Sequence, residues 1–253
     1  MKNSDNIHPK EPIMHNRFII PASIFGLALV LSITIFSLTW KGVKSENQTI
    51  NVTGSAKKSI VSDLGILRLS VNVDEVNQLE AYQQLKKQVP MLMNYLLAKG
   101  FEKNRMNTMV MNIYPNFLYN EAGNQIGIRS FTGTQTIEVQ STNVILIKNT
   151  SLDVVSLLEK GISVTVNAPE YYYTKLSTIK IDIQADAAKD AMIRGRRIAE
   201  ATGRKLGVLT NARMGVLQIT PENSNVTSDY GVNDVSSIRK EITAVVNAKF
   251  LIK

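Results

Sequence analysis

The segment from Phe18 to Trp40 contains 23 consecutive residues without a charge. As an α-helix it would be roughly 34 Å long, which is enough to cross the apolar part of a bilayer. A cleaved signal peptide has an apolar core of about 7–15 residues followed by a small-x-small cleavage site. Here the apolar run is longer, and Trp40-Lys41-Gly42 is no such site. The segment is therefore predicted to be one uncleaved transmembrane anchor, with Trp40 at the membrane interface.

The anchor divides the chain into parts of different character. Residues 1–17 are polar and are predicted to be a disordered tail, residues 41–48 a linker, and residues 49–253 a folded domain. Basic residues flank the anchor on both sides, so the positive-inside rule barely decides its orientation. A single N-terminal anchor before a long domain favours a tail inside the cell. We therefore expect a single-pass protein of the inner (cytoplasmic) membrane, with its domain on the periplasmic or extracellular side.

The residue types that are missing exclude several kinds of chemistry. The chain has no cysteine, and its two histidines, His8 and His15, both precede the anchor. The predicted domain therefore has no Ser-His-Asp triad, no cysteine nucleophile and no histidine-ligated zinc. No phosphate-loop or dinucleotide motif is present. We predict that the protein is not an enzyme, and expect no catalytic residue, no cofactor, no metal and no small-molecule substrate.

The rest of the chain predicts an α+β fold with largely antiparallel sheet. Alternating strands are followed by a helix, a hairpin, a short helix and further extended segments, which gives a β-α-β-β-α-β (ferredoxin-like) core. A long helix and a closing strand pair are added at its C-terminal side. The predicted bounds are strands Thr49–Ser55 and Ile60–Val73, a helix Asp74–Lys99, hairpin strands Met106–Tyr119 and Gln125–Ser141, a helix Thr150–Lys160, extended segments Ile162–Val166 and Tyr171–Leu176, and closing strands Asn211–Thr220 and Lys240–Ile252.

The segment from Lys189 to Gly207 gives the strongest helical pattern. At 100° per residue its small and apolar residues share an arc of roughly 120°, so the helix axis can come close to a sheet. Gly207 is predicted to adopt the left-handed conformation that ends the helix. The predicted buried face consists of Ala191, Met192, Gly195, Ile198, Ala199, Thr202 and Leu206.

The opposite side of this helix is basic. The chain carries a formal net charge of +8, which favours anionic partners such as lipid headgroups or acidic polymers. The alternative is a solvated face whose charges pair with Asp190 and Glu200. No aromatic residue lies among these charges, so nucleic acid is not expected to bind. The candidate anionic-ligand face consists of Lys189, Arg194, Arg196, Arg197 and Arg204.

Two further groups of side chains are candidates for function. Asp182, Asp186 and Asp190 are spaced four residues apart, but a hard cation needs about six oxygens in a folded cage, so this ladder predicts a solvated helix face. Aromatic residues cluster in two predicted strands, where exposed rings suit contacts between subunits and core packing is the alternative. The candidate oligomer contacts are Tyr114, Phe117, Tyr171 and Tyr173.

Several segments, in order, carry a family resemblance. INVTGSAKKSIVSDLGILRLSV (Ile50–Val71) and FTGTQTIEV (Phe131–Val139) are strand motifs, and KDAMIRGRRIAEATGRKLG is a basic, alanine-containing helix. With the terminal strands ARMGVLQIT (Ala212–Thr220) and ITAVVNAKF (Ile242–Phe250), they resemble the SIMPL-domain family of bacterial envelope proteins. That family includes a periplasmic immunogenic protein and an oxidative-stress defence protein, and the resemblance covers roughly residues 49–253.

The resemblance implies an envelope or secreted protein without an established enzymatic activity, and some relatives assemble into rings or channel-like oligomers. Many relatives carry a cleavable signal, so the anchor is a departure. The resemblance implies no catalytic residues. We therefore expect a membrane-anchored, non-enzymatic homo-oligomeric scaffold, with a role in envelope or oxidative-stress defence by analogy alone. The alternative is a module that binds an anionic envelope component through the basic helix face.

Overall fold

The computed structural model describes residues 16–46 and 48–253. Its first helix, α1 (Asn16–Glu46), contains the predicted anchor. The segment Ile19–Lys41 is long and apolar enough to cross a membrane, and none of its most apolar window is buried. Such a helix fits either a single membrane span or a signal sequence. Most of the predicted linker, residues 41–48, continues this helix, and most of the predicted disordered tail lies outside the described residues.

The chain, predicted as one domain after the anchor, clusters into two compact units. Of the described residues, the larger unit comprises Thr53–Met192 and Arg213–Asn247, and the smaller comprises 16–46, 48–52, Ile193–Ala212 and Ala248–Lys253. Four elements contribute residues to both units. They are β1 (Thr49–Val61), α4 (Leu176–Ala201), β8 (Leu206–Met214) and β11 (Arg239–Ile252).

The larger unit contains a six-stranded antiparallel sheet. Its elements are β2 (Leu64–Glu75), α2 (Gln78–Ala98), β3 (Met106–Thr108), β4 (Asn112–Tyr119), β5 (Gln125–Ser141), α3 (Val144–Asp153), a 3-10 helix (Val154–Lys160), β6 (Val164–Val166) and β7 (Glu170–Tyr172). The central strands β2 and β5 pair with each other, and each edge of the sheet is formed by two shorter strands, in the order β3/β4, β5, β2, β6/β7. The predicted β-α-β-β-α-β order is matched only in part, because three strands lie between α2 and α3 and two follow α3.

One face of this sheet forms the core of the larger unit. Alternate residues of β2, including Leu67 and Leu69, are fully buried, because successive side chains of a strand point to opposite faces. They pack in one cluster with Leu85, Leu92 and Leu96 of α2, which recur at the spacing of one helix face. The α+β class with largely antiparallel sheet is therefore confirmed.

A second sheet includes two short strands, β9 (Gln218–Pro221) and β10 (Val232–Asn233). Its strand order is β1, β11, β9, β10, with β8 pairing to β11. In the larger unit, Gly54 of β1 lies against α4, where a Cβ at Gly54 would be 2.3 Å from the carbonyl oxygen of Ala187 and from the amide of Ala191. The helix and the strand are thus in backbone contact, as the small residues of α4 predict.

The buried stripe of α4 is narrower than the predicted face. Its residues recur at every fourth position. Met192 and Ile198, which belong to the predicted face, are exposed. The helix also ends earlier than predicted, because Gly203 has a φ of 71° and Gly207 belongs to β8, packed against Leu251 in the smaller unit. The buried residues are Ile179, Ile183, Ala187, Ala191, Gly195 and Ala199.

Several strand and helix boundaries also differ from prediction. Ile60 and Val61 belong to β1. The chain then turns at Ser62 and Asp63, where Oδ1 of Asp63 accepts a hydrogen bond from the Thr174 amide at 2.7 Å. The first predicted helix begins at Gln78 because Asn77 caps it through a hydrogen bond to the Glu80 amide. The second begins at Val144, capped by Asn143. The predicted strand 211–220 is interrupted between β8 and β9.

Candidate functional site

The β4–β5 hairpin extends past the strands that flank it. β5 pairs with β2 only up to Phe131, which lies opposite Glu75. Toward the turn, residues 125–130 pair with β4 alone within the described part of the chain. We call residues 116–130 the hairpin end. Because no third strand lies beside it in the larger unit, its side chains have fewer neighbours than those of the central sheet.

Large apolar side chains cover the hairpin end. Phe117 lies directly opposite Ile128, and these residues are 40% and 50% exposed. Exposed apolar patches on monomeric proteins mark sites of interaction. Aromatic residues in such a surface are typical of protein interfaces. The exposed apolar residues of the hairpin end are Phe117, Leu118, Tyr119, Ile126 and Ile128.

The shape of the hairpin end is fixed by local hydrogen bonds. The Asn124 amide donates to Oδ1 of Asn120 at 2.9 Å, and the Gly123 amide donates to the Asn120 carbonyl at 2.9 Å. Gly123 has a φ of 79°, which glycine adopts without a steric penalty. The turn is therefore closed by its own residues, and the hairpin end presents its apolar side chains on a defined backbone.

The edge of the hairpin favours contact through side chains over addition of another strand. Pro115 lies within β4 and has no N–H to donate to a neighbouring strand, and proline on an edge strand opposes edge-to-edge pairing. Between Asn112 and Phe131 the only charged residues are Glu121 and Arg129. This segment is thus electrically neutral in a chain of net charge +8.

The sheet face opposite the core carries a paired polar network. Arg68 of β2 binds Glu138 of β5 at 2.8 Å and Glu170 of β7 at 2.9 Å, and these hydrogen bonds raise the pKa of Arg68. The pKa of Glu170 is lowered, first by a hydrogen bond from the Tyr172 hydroxyl and then by Arg68. Such side chains hold each other in place. The network therefore links β5, β2 and β7 through paired charges.

A buried lysine fixes the loop between β9 and β11. Lys240 is 2% exposed, and its Nζ donates to the carbonyl oxygens of Tyr171, at 2.6 Å, and Asp234. Burial lowers the pKa of Lys240, and the charge of Asp234 offsets part of this effect. Burial acts to raise the pKa of Asp234, but hydrogen bonds from Ser236 and Ser237 outweigh it and lower that pKa.

The structure separates the four predicted oligomer contacts. Tyr114 and Phe117, which are 50% and 40% exposed, lie on β4 beside or within the hairpin end. Tyr171 is 5% exposed, so its ring belongs to the core, as the alternative interpretation has it. Tyr173 is half-buried. Only the first two are therefore exposed, and the alternation of β4 places them on opposite faces of the hairpin.

The predicted anionic-ligand face is divided between the two units. Lys189 lies in the larger unit, where its ammonium pairs with Asp186 at 3.2 Å. Arg194, Arg196, Arg197 and Arg204 lie in the smaller unit. All five are exposed, and Arg204 also donates a hydrogen bond to the side-chain oxygen of Gln48.

The aspartate ladder is used in contacts within the larger unit. Asp186 accepts from Lys189, and Asp190 accepts from the amide of Ser55 at 2.9 Å. Across residues 16–46 and 48–253, no group of three or more His, Cys, Asp or Glu side chains is arranged to hold a metal ion.

Four members of the exposed surface are not among the predicted contacts: Leu118, Tyr119, Ile126 and Ile128. The available signal was the run Phe117-Leu118-Tyr119, in which three large apolar residues follow one another on a strand. Because adjacent residues of a strand face opposite sides, such a run makes both faces apolar. That pattern indicates a hairpin with apolar side chains on both faces.

Comparison with known protein families gives one match. The family model described as "SIMPL: Protein of unknown function (DUF541)" matches residues 50–250. No match was found among curated proteins. The family match begins in β1 and ends in β11, and so includes both sheets and the hairpin end. Because it covers well over half of the chain, the protein belongs to the SIMPL family, as the ordered motifs of its sequence indicate.

Proposed function

We propose that this protein is a membrane-anchored, non-enzymatic scaffold whose SIMPL domain assembles with further copies of itself through the hairpin end. The observation that carries the proposal is the exposed apolar surface around Phe117 and Ile128. An apolar surface of this kind gains free energy when it is removed from water. A second copy brings the same surface, so the contact can be self-complementary.

Charge favours a second copy as the partner. Two molecules of net charge +8 repel each other, but the segment around the hairpin end is neutral and can approach its counterpart without that cost. Pro115 opposes extension of the sheet by strand addition, so packing of side chains is the mode of contact that remains. Anchoring in one membrane would also raise the local concentration of copies.

The anchor is α1, and the proposed location is the inner (cytoplasmic) membrane with the domain on the periplasmic or extracellular side. Its apolar residues are exposed along Ile19–Lys41, unlike those of a helix that forms a soluble core. The long apolar run and the absence of a small-x-small site after Trp40 support an uncleaved span. Release of the full chain from membranes by an alkaline wash would contradict this assignment.

The scaffold would act without a catalytic step, and a role in envelope or oxidative-stress defence rests on the family resemblance. If that role is correct, cells that lack the protein should survive peroxide less well than cells that contain it. Equal survival would contradict the stress role and leave the assembly to be judged on its own test.

The assembly is tested with the double variant Phe117→Lys, Ile128→Glu. These residues are cross-strand neighbours, so the opposite charges keep the hairpin paired while its apolar surface is lost. We expect the detergent-corrected mass of the full-length protein, measured by light scattering, to fall to that of one chain.

The matched control is Leu152→Glu, Leu158→Lys. These residues are 69% and 54% exposed and lie on α3 and the following 3-10 helix, in the same unit but away from the hairpin end. The control should retain the mass of the unaltered protein. An assembly of unchanged mass in the hairpin variant would show that copies associate elsewhere.

A further inference from the structure

A cavity of about 330 Å³ lies in the larger unit, between the end of β1 and the start of α4. This volume is at the lower end of the range for small-molecule sites. Two of its lining residues, Ile60 and Ile179, are buried, with 6% and 5% of their surface exposed. They come from a strand and a helix, so the cavity has an apolar wall on two ordered elements.

The rim of the cavity is polar and carries two cationic side chains. Lys58 is contributed by β1, and Lys175 by the residues that precede α4. Both are exposed. The hydroxyl of Thr178 and the carboxylate of Asp182 also line the cavity, and Asp182 is its one acidic member. Two lysines from separate elements therefore line one small cavity with a single aspartate.

The lining of the cavity contains two lysines and one aspartate, so its formal charge is positive. The first turn of α4 contains no acidic residue, and the N-terminal end of a helix carries partial positive charge. Asp63 accepts two hydrogen bonds from Thr174, at 2.7 and 2.8 Å, and is not among the residues that line the cavity. The lysine pair thus lies where a cation is electrostatically unfavourable and an anion is favoured.

A smaller cavity shares two lining residues with the first and carries both a cation, Lys240, and a carboxylate, Asp234. The two share Ile60 and Tyr173 as lining residues, and Lys240 lines the smaller one. Lys240 is 98% buried and gives two of its three possible hydrogen bonds to carbonyl oxygens. Its ammonium therefore has one donor beyond those two bonds, next to the apolar wall of the larger cavity.

We propose that this cavity binds a small organic anion, with the anionic group between Lys58 and Lys175 and the apolar part against Ile60 and Ile179. Lysine binds carboxylate and phosphate as a point charge, so the site selects for charge and size. The buried apolar wall distinguishes an organic anion from an inorganic one. This site is distinct from the hairpin end and does not depend on assembly of copies.

The experiment measures the thermal unfolding of the full-length protein in detergent at constant ionic strength, with four separate additions: hexanoate, inorganic phosphate, hexanol and sodium chloride. A ligand at ten times its dissociation constant should raise Tm by roughly 3 °C or more for a domain of this size. We expect this rise with hexanoate alone. An equal rise with hexanol would overturn the role of charge, and an equal rise with phosphate would overturn the role of the apolar wall.

The double variant Lys58→Gln, Lys175→Gln should abolish the rise. Both side chains are exposed, so the unfolding temperature without ligand should stay the same, which confirms that the variant folds. The control Lys103→Gln, Lys148→Gln removes the same charge from other exposed positions of the larger unit and should keep the rise. A hexanoate effect that persists in the first variant, or is lost in the second, would overturn the proposal.

Discussion

Gly54→Ala is expected to destabilise the protein by about 3 kcal/mol, the upper part of the range for overpacked sites. An alanine Cβ at this position would lie 2.3 Å from the Ala187 carbonyl oxygen and 2.7 Å from the Ala191 Cα. These are backbone atoms of α4, which cannot rotate away as a side-chain end can. The helix must therefore move from the strand. Thermal unfolding should show a decrease in Tm of roughly 6–12 °C.

The matched control is Gly127→Ala, also in a β-strand of the larger unit. A Cβ at Gly127 has no atom within 4 Å, so this variant should change the free energy of unfolding by no more than about 0.5 kcal/mol. Equal losses in both variants would mean that glycine flexibility, rather than the contact between β1 and α4, explains the effect. An unchanged Tm for Gly54→Ala would contradict the close approach itself.

Lys240→Met is expected to destabilise the larger unit by about 2 kcal/mol. Methionine has a similar length but cannot donate, so the carbonyls of Tyr171 and Asp234 lose their hydrogen bonds, and an unsatisfied buried acceptor costs about 1–3 kcal/mol. Relief of the buried charge offsets part of this loss. Denaturant unfolding gives the stability change, and hydrogen exchange should show faster exchange in the loop between β9 and β11.

Lys57→Met provides the control for that variant. The side chain of Lys57 is 61% exposed and pairs at 2.8 Å with Glu241, the residue that follows Lys240. A surface ion pair contributes about 0–1 kcal/mol to the free energy of unfolding. Loss of this pair should therefore leave the loop between β9 and β11 protected from hydrogen exchange. If Lys240→Met proved neutral or stabilising, the cost of burying the ammonium would equal or exceed the contribution of its two hydrogen bonds.

The long helix shows which structural features local sequence can predict. The small residues of α4 predict its close approach to a strand, because Ala and Gly recur every four residues on one face. The end of the helix could not be placed in the same way, since both Gly203 and Gly207 suit a helix terminus. The choice depends on β8, where Gly207 packs against Leu251, a contact between segments far apart in sequence.

The boundary between β1 and β2 was misplaced for a similar reason. Apolar alternation continues through residues 60–73, so the pattern alone predicts one strand. The turn at Ser62 and Asp63 is held from a distance: Asp63 accepts two hydrogen bonds from Thr174, which lies 111 residues further along the chain. Local propensity contains no information about such a partner.

The candidate site was only partly predictable. Alternation identifies Tyr114 and Phe117 as strand residues but does not reveal which face a helix covers. Tyr171 has the same kind of pattern and is buried. What distinguishes the hairpin end is that β2 stops opposite Phe131, and the length of a neighbouring strand follows from tertiary pairing. The cavity between β1 and α4 likewise joins residues separated by more than a hundred positions.

The proposed assembly of copies through the SIMPL domain is tested most directly by the mass of the full-length protein in detergent, determined by light scattering across micromolar concentrations and corrected for bound detergent. We expect a multiple of 28.1 kDa, the mass of one chain. A mass of 28.1 kDa at every concentration would contradict it.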